Sequence, residues 1–377
     1  MPERKPRGNA TFSAEPSGGR PRGHVHEPTR LFVAAQSRHR PTACGDRLFE
    51  SRDGLMRVEM SNVLVLGGTG FVGRSVCACL VTRAGAASGR VAVVTRRASA
   101  AKHVQLLPTV EVIEADVHDP GQLSRLVEGR DVVVNLVAIL HGSEAEFQRV
   151  HVELPRKLAQ ACVDNGVHRV VHVSALGASE TAPSRYLRSK AAGEAVLKAA
   201  RLDLTLLRPS VIFGEGDHFL NLFAQLQLFL PVFPLAGATA RFQPVWVEDV
   251  AAAVQHCVDD SKTSGMTLEC VGPSVHTLGE LVAMAGRWSG HARPVLPLPA
   301  GLARLQAWAM ECLPGTPLMS RDNLDSMRVP SVATDQWPGL ERLGIRASAM
   351  EAIVPLYLGA SQGLARLDPL RAKARRI

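Results

Sequence analysis

Tyr186 and Lys190 stand four residues apart in the stretch Ser184-Arg185-Tyr186-Leu187-Arg188-Ser189-Lys190-Ala191-Ala192-Gly193-Glu194. On a helix that spacing puts them one turn apart on one face. Tyr186 is one of only two tyrosines in the chain. A lysine beside a phenol favours the phenolate and lowers its pKa, so the pair can exchange a proton with a carbonyl or carbinol oxygen. Ser174, which ends an apolar run before this stretch, can hold that oxygen. The same lysine can bond a nicotinamide ribose. Two readings therefore stay open, a working acid with its electrostatic partner or a cofactor clamp without chemistry.

A cofactor site precedes these residues. Gly67-Gly68-Thr69-Gly70-Phe71-Val72-Gly73 lies between an apolar strand and a helix. Glycine at 67 permits the tight turn, Gly70 lets a pyrophosphate approach the backbone, and Gly73 lets helix and strand pack closely. The helix N-terminus offers amides and a positive dipole to the phosphates. Cofactor choice is read at the end of the second strand, where this chain carries Thr95-Arg96-Arg97 without an acid nearby. Two guanidiniums suit a 2′-phosphate, so NADP(H) is expected in preference to NAD(H). Asp116, after the third strand, is placed to reach the adenine amine.

Strands and helices alternate from Asn62 onward. Val63 to Leu66, Val91 to Val94, Val110 to Ile113, Asp131 to Val137, Arg169 to Ser174 and Leu204 to Pro209 read as buried parallel strands. Arg74 to Arg83, Asp119 to Glu128, a long segment over 144–165 and the Tyr186 stretch read as helices. Asp119 is the expected N-cap, with Pro120 at the first helical position. The spacing predicts an α/β fold, a Rossmann-type doubly wound parallel sheet with right-handed crossovers and a smaller C-terminal cap. A Phe/Leu-rich segment over 218–236 is expected to form a helix and lid. Strand Met266 to Val271 and a helix capped by Thr277, with Glu280 three residues on, follow. The expected division is a disordered extension over 1–59, a dinucleotide domain over 60–213 and 242–272, a cap over 214–241 and 273–360, and a basic tail over 361–377. Met60-Ser61-Asn62 directly precedes the first strand, so 1–59 could be an over-extended gene reading.

Composition excludes several functions. The chain has 377 residues, 46% hydrophobic and 21% charged, which suits a globular protein. The net charge of +8 would suit an anionic partner, but aromatics at 5% and the lack of a recognition module argue against nucleic acid. The seven cysteines form no CxxC pair, and Cys77 and Cys79 fall on different helix faces, so no metal site is expected. Single cysteines in apolar segments point to a reduced, cytoplasmic compartment. A peripheral position at the inner face of the membrane stays open.

The strings GGTGFVG, YLRSK, LRPSVIFG and VWVEDV, with Ser174, resemble the extended, atypical branch of the short-chain dehydrogenase/reductases, whose epimerases and dehydratases are its best-known enzymes. More narrowly, SRYLRSKAAGE, RPSVIFGEGDHFLN and QPVWVEDV resemble the complex I alpha-subcomplex subunit 9 family, an NADPH-holding accessory subunit with bacterial relatives. The resemblance implies cofactor contacts for Gly67, Gly70, Phe71, Val72, Gly73, Arg96, Asp116, Ala138, Lys190 and Pro209. Thr69, Arg97 and Val117 complete the expected cofactor set, and Ser174, Tyr186 and Lys190 the catalytic one. His151 stands where sugar-nucleotide epimerases carry an asparagine, either as a relay substitute or as a packing histidine. The resemblance favours an accessory protein tied to quinone or NADH-dehydrogenase machinery; the intact Ser/Tyr/Lys set keeps an NADPH-dependent reductase or epimerase in play. The apolar lid fits a quinone, an acyl lipid or a membrane-associated respiratory subunit better than a sugar nucleotide.

Overall fold

Short runs of valine and leucine without polar alternation have to be covered on both faces, and the central sheet of this protein is built from them. The computed structural model describes residues 61–82, 89–315 and 317–359. The extension expected over 1–59 and the basic tail over 361–377 lie outside the described residues. Six strands come first: β1 (Val63–Leu66), β2 (Val91–Thr95), β3 (Val110–Glu114), β4 (Val132–Asn135), β5 (Arg169–Val173) and β6 (Asp203–Pro209). The short strands β7 (Ile212–Phe213), β8 (Phe233–Leu235), β9 (Arg241–Phe242) and β10 (Val245–Trp246) follow, then β11 (Thr267–Cys270), β12 (His276–Thr277) and β13 (Val295–Pro297).

Seven of these form one sheet in the order β3-β2-β1-β4-β5-β6-β11, and every pairing in it is parallel. The order reverses between β1 and β4, the switch point at whose carboxyl side such sheets bind ligands. Helices α1 (Phe71–Thr82) and α2 (Pro120–Val127) cross between strands, followed by α3 (Glu144–Phe147), α4 (Leu154–Asp164) and α5 (Arg185–Ala199). Successive β1 side chains point to opposite faces. Val63 and Val65 join Val76, Leu80, Val250 and Val254 in one core. Leu64 and Leu66 join Leu123, Leu158 and Leu206 in the other. Each fully buried side chain of this size contributes about 1.5–3 kcal/mol, so the first strand is held from both sides.

The later helices are α6 (Leu220–Phe229), α7 (Val247–Asp259), α8 (Leu278–Ser289), α9 (Ala300–Glu311), α10 (Arg321–Ser326) and α11 (Met350–Leu358). Phe223, Phe233, Trp246, Leu281 and Val354 gather α6, β8, α8 and α11 around a third, smaller core. Thr277 caps α8 in a reciprocal capping box with Glu280, and Asp119 caps α2 through Gln122 N.

Three expectations need correction. Helix α1 starts at Phe71, not Arg74, because the Gly70 amide turns back to the Gly67 carbonyl and Arg74 N bonds Gly70 O, leaving no loop between. The continuous helix expected over 144–165 is interrupted by a π-helical segment, Gln148–Glu153. Pro155 has no N–H to give the carbonyl four residues back, His151 O. That carbonyl faces α5 instead, at Gly193, where a Cβ would collide with it. The expected lid helix ends at Phe229, and the chain continues into β8, paired with β13. Among the described residues no helix is long and apolar enough to cross a membrane, and no His/Cys/Asp/Glu group could hold a metal ion.

Candidate functional site

The glycine loop lies at the carboxyl end of β1. Gly67 takes φ +84°, a conformation that side chains rarely adopt, and a Cβ on Gly73 would meet the Gly67 carbonyl and the Gly68 backbone. Gly70 is exposed directly before α1, so the backbone there is open to a ligand and helix amides stand behind it. These are the features a pyrophosphate needs, and they fit a dinucleotide. The Phe71 and Val72 side chains pack on the third core, which leaves their backbone for a cofactor. Thr69 is half-buried in the same loop.

At the end of β2, Arg96 and Arg97 are both exposed. The Arg97 amide is tied to Thr95 Oγ1 at 3.3 Å. The sequence suggested a setting without acids; Glu114, paired with Thr95 across the β2–β3 register, stands there too. One of its oxygens accepts from Ala98 N at 3.0 Å. Asp116 is exposed and accepts from His118 N at 2.9 Å. Val117 is buried in the second sheet core. Ala138 is exposed beyond β4, where Asn135 Oδ1 accepts from Val137 N and ends the strand two residues early. Pro209, at the end of β6, is buried, and its carbonyl accepts from Leu176 N.

Ser174, Tyr186 and Lys190 come together at the end of β5. Lys190 is 2% exposed, and its Nζ donates to the Val173 carbonyl at 2.9 Å. Tyr186 packs beside Ala175. Ser174 follows Val173 directly in the chain and is buried, and among the described residues its Oγ has no hydrogen-bond partner. A buried hydroxyl left open in this way costs about 1–3 kcal/mol unless a ligand oxygen meets it.

Burial lowers the Lys190 ammonium from 10.5 to about 8, against the pull of Glu194 one turn on. Glu194 is itself buried and takes a two-pronged ion pair from Arg208, at 2.9 and 2.6 Å. Burial pushes the Tyr186 phenol up to about 12. This is the opposite direction to the lowered phenol that the sequence suggested, and its cause is burial.

His151 lies under the tyrosine, ring centroids 5.6 Å apart in an edge-on arrangement. Its Nε2 accepts from Ile139 N at 3.1 Å, which leaves the proton on Nδ1. Nδ1 donates to Ser189 Oγ at 2.8 Å, and Ser189 passes its own proton to the Tyr186 carbonyl. Burial, then Lys190, lowers the imidazole to about 3. Both nitrogens are committed and the ring is neutral, so the geometry favours the packing role over the relay.

Asp322 gave no signal in the sequence. From α10 it accepts from Arg185 N at 2.7 Å and from Tyr186 N at 3.1 Å, capping α5 beside the tyrosine. Glu194 was within the quoted stretch, four residues after Lys190, and that spacing could have revealed it.

Comparison with known proteins adds three findings. The NAD(P)H-binding family matches residues 67–221. The chain is 32% identical over 298 residues to the mitochondrial NADH dehydrogenase (ubiquinone) 1 alpha subcomplex subunit 9 of Mus musculus, covering 76% of this chain and 77% of that protein. It is 36% identical over 193 residues to the ceramide reductase of Caulobacter vibrioides, covering 50% of this chain and 58% of that one. Among solved structures, an Escherichia coli NADPH-dependent quinone oxidoreductase complexed with NADPH shares the fold, with a TM-score of 0.64 and 20% identity over 78% of this chain and 99% of that one.

Proposed function

The chain belongs to the family of NADH dehydrogenase (ubiquinone) 1 alpha subcomplex subunit 9 and matches an NAD(P)H-binding family over residues 67–221; we propose that it is an NADPH-dependent reductase of an apolar carbonyl compound. The observation that carries this reading is the buried Ser174 hydroxyl, without a hydrogen-bond partner among the described residues, next in the chain to the Val173 whose carbonyl holds Lys190. When bound, the nicotinamide supplies the hydride.

The chain's own residues do the rest. Ser174 holds the substrate oxygen, and Tyr186, kept protonated by burial, gives it a proton. Lys190 bonds the ribose and stabilises the phenolate left behind. Gly67, Thr69, Gly70 and Gly73 seat the pyrophosphate, with backbone help from Phe71 and Val72. Arg96 and Arg97 take the 2′-phosphate, which favours NADPH over NADH despite Glu114 nearby. Asp116 and Val117 meet the adenine, while Ala138 and Pro209 flank the nicotinamide end. In this proposal residues 60–213 and 242–272 hold the dinucleotide, and 214–241 with 273–360 cover it.

Support for an apolar substrate comes from the ceramide reductase among the relatives. A second reading has its own support, because the match to the mouse subunit spans most of both chains. There the dinucleotide is a structural ligand and the exposed apolar residues meet a membrane-associated respiratory subunit. Single-turnover oxidation of bound NADPH separates the two. Offered keto-lipids or quinones, the protein should oxidise it, and Tyr186→Phe should slow that step by roughly 10²–10⁴ with NADPH affinity unchanged. NADPH that persists unoxidised with every such acceptor decides for the structural ligand.

A further inference from the structure

At the start of α5, next to Tyr186 in the chain, four arginines line one cleft. Arg185 and Arg188 come from the first turns of α5, Arg304 from α9 and Arg321 from the first position of α10, around a volume of about 380 Å³. Asp322 and Asp325 also line it; with Glu311, which pairs with Arg321, and Arg328, 3.9 Å from Asp325, five guanidiniums face three carboxylates. Like charges gathered this closely repel unless an anion joins them.

The carboxylates leave much of that charge uncompensated. Arg304 reaches Asp325 at 3.2 Å. Arg321 turns to Glu311 at 2.8 Å, and Arg185 meets Asp322 through one long contact of 3.4 Å. Among the described residues Arg188 has no carboxylate partner; its Nη1 donates to the Ala182 and Pro183 carbonyls at 2.8 and 2.9 Å. These two bonds fix the Arg188 guanidinium against the loop entering α5. A fixed guanidinium loses little freedom when it meets a planar or tetrahedral oxyanion. The Arg185 and Tyr186 amides are already taken by Asp322, so the free donors of the cleft are the guanidiniums.

We propose that this cleft binds a phosphate group, held by Arg188 and Arg185 at its base and by Arg304 and Arg321 at its rim. The phosphate belongs either to a free phosphorylated metabolite or to the headgroup of an anionic lipid. The site is separate from the glycine loop, and its occupation does not depend on turnover.

The test uses the full chain with NADPH at saturation, which keeps the dinucleotide phosphate site filled. Inorganic phosphate is titrated calorimetrically at constant ionic strength, and flotation is measured on phosphatidylglycerol and phosphatidylcholine vesicles. Arg304 and Arg321 are the exposed pair, so the variant Arg304→Glu with Arg321→Glu is expected to fold, which its Tm checks. Arg304→Lys with Arg321→Lys keeps the charge and loses the fork. The reversed variant should lose about tenfold or more in phosphate affinity, with the lysine variant between it and the parent. If phosphatidylglycerol vesicles, but neither phosphatidylcholine vesicles nor inorganic phosphate, bind and the reversal abolishes it, the headgroup is the source; saturable inorganic phosphate identifies the free one. Absence of both, or affinity unchanged by charge reversal, overturns the proposal.

Discussion

Replacing Lys190 by methionine should make the free protein more stable while weakening its hold on the cofactor. The lysine is 2% exposed, and burial carries its ammonium from 10.5 to about 8. Two and a half decades at about 1.4 kcal/mol each amount to about 3.5 kcal/mol of desolvation cost in the folded state. The Val173 carbonyl loses its bond from Nζ, which takes back about 1 kcal/mol. The net expectation at pH 7 is a gain of about 2.5 kcal/mol. The sign follows from proton binding. Below about pH 8 both states carry the proton and the full cost is present. Between about 8 and 10.5 the unfolded chain binds more protons than the folded one, so the parent gains stability as pH rises. Above 10.5 the cost is gone. Urea unfolding of parent and Lys190→Met at pH 7 and 10, read as a difference so that other titrations cancel, should show the gap closing at the higher pH. The same curves with NADPH added should favour the parent. A variant no more stable than the parent at pH 7 would refute the argument that the charge is held in place at a cost.

Arg96→Asp combined with Arg97→Ser should cost NADPH roughly 1–3 kcal/mol per lost charged hydrogen bond and spare NADH; fluorescence titration with both dinucleotides reads it, and an unchanged NADPH affinity would sink the 2′-phosphate role. Gly73→Ala sets a methyl against the Gly67 carbonyl and the Gly68 backbone, so the loop must shift at a cost of about 1–3 kcal/mol. Both a lower Tm and an NADPH Kd weakened about tenfold should follow; normal dinucleotide binding would show that the loop has slack.

The elements were legible because their signals are local. Four consecutive apolar residues at Val63–Leu66, followed by Gly67, can be read as a strand and its turn without knowing anything else. Thr277 and Glu280, or Asp119 and Pro120, specify helix starts within a few residues. The spacing of Tyr186 and Lys190 placed both on one helix, which the structure has as α5, and Ser174, which the sequence suggested as the last residue of its strand, lies one residue beyond the end of β5. What was not legible depended on long-range contact. Burial set the direction of the Tyr186 phenol, and no local pattern states how much water a ring keeps. The π-helical segment needs both Pro155 and the proximity of Gly193, 38 positions on; the proline was visible, the neighbour was not. Phe229 belonged to an apolar lid in the sequence, and the structure leaves it facing solvent.

Asp322 caps the helix that bears Tyr186 and Lys190 from more than 130 positions further along the chain. The order of synthesis then matters. By the time Cys270 has left the ribosome, all seven strands exist and the glycine loop can form, because chains fold in pieces from the N-terminus. The first amides of α5 still lack their distant acceptor at that stage. A nascent chain stalled before residue 322 would thus hold a finished sheet with its reactive edge unsealed, and closing a loop of this length is among the slower steps a fold can require. The cap on α5 arrives late, when the segment bearing Asp322 returns to pin the helix.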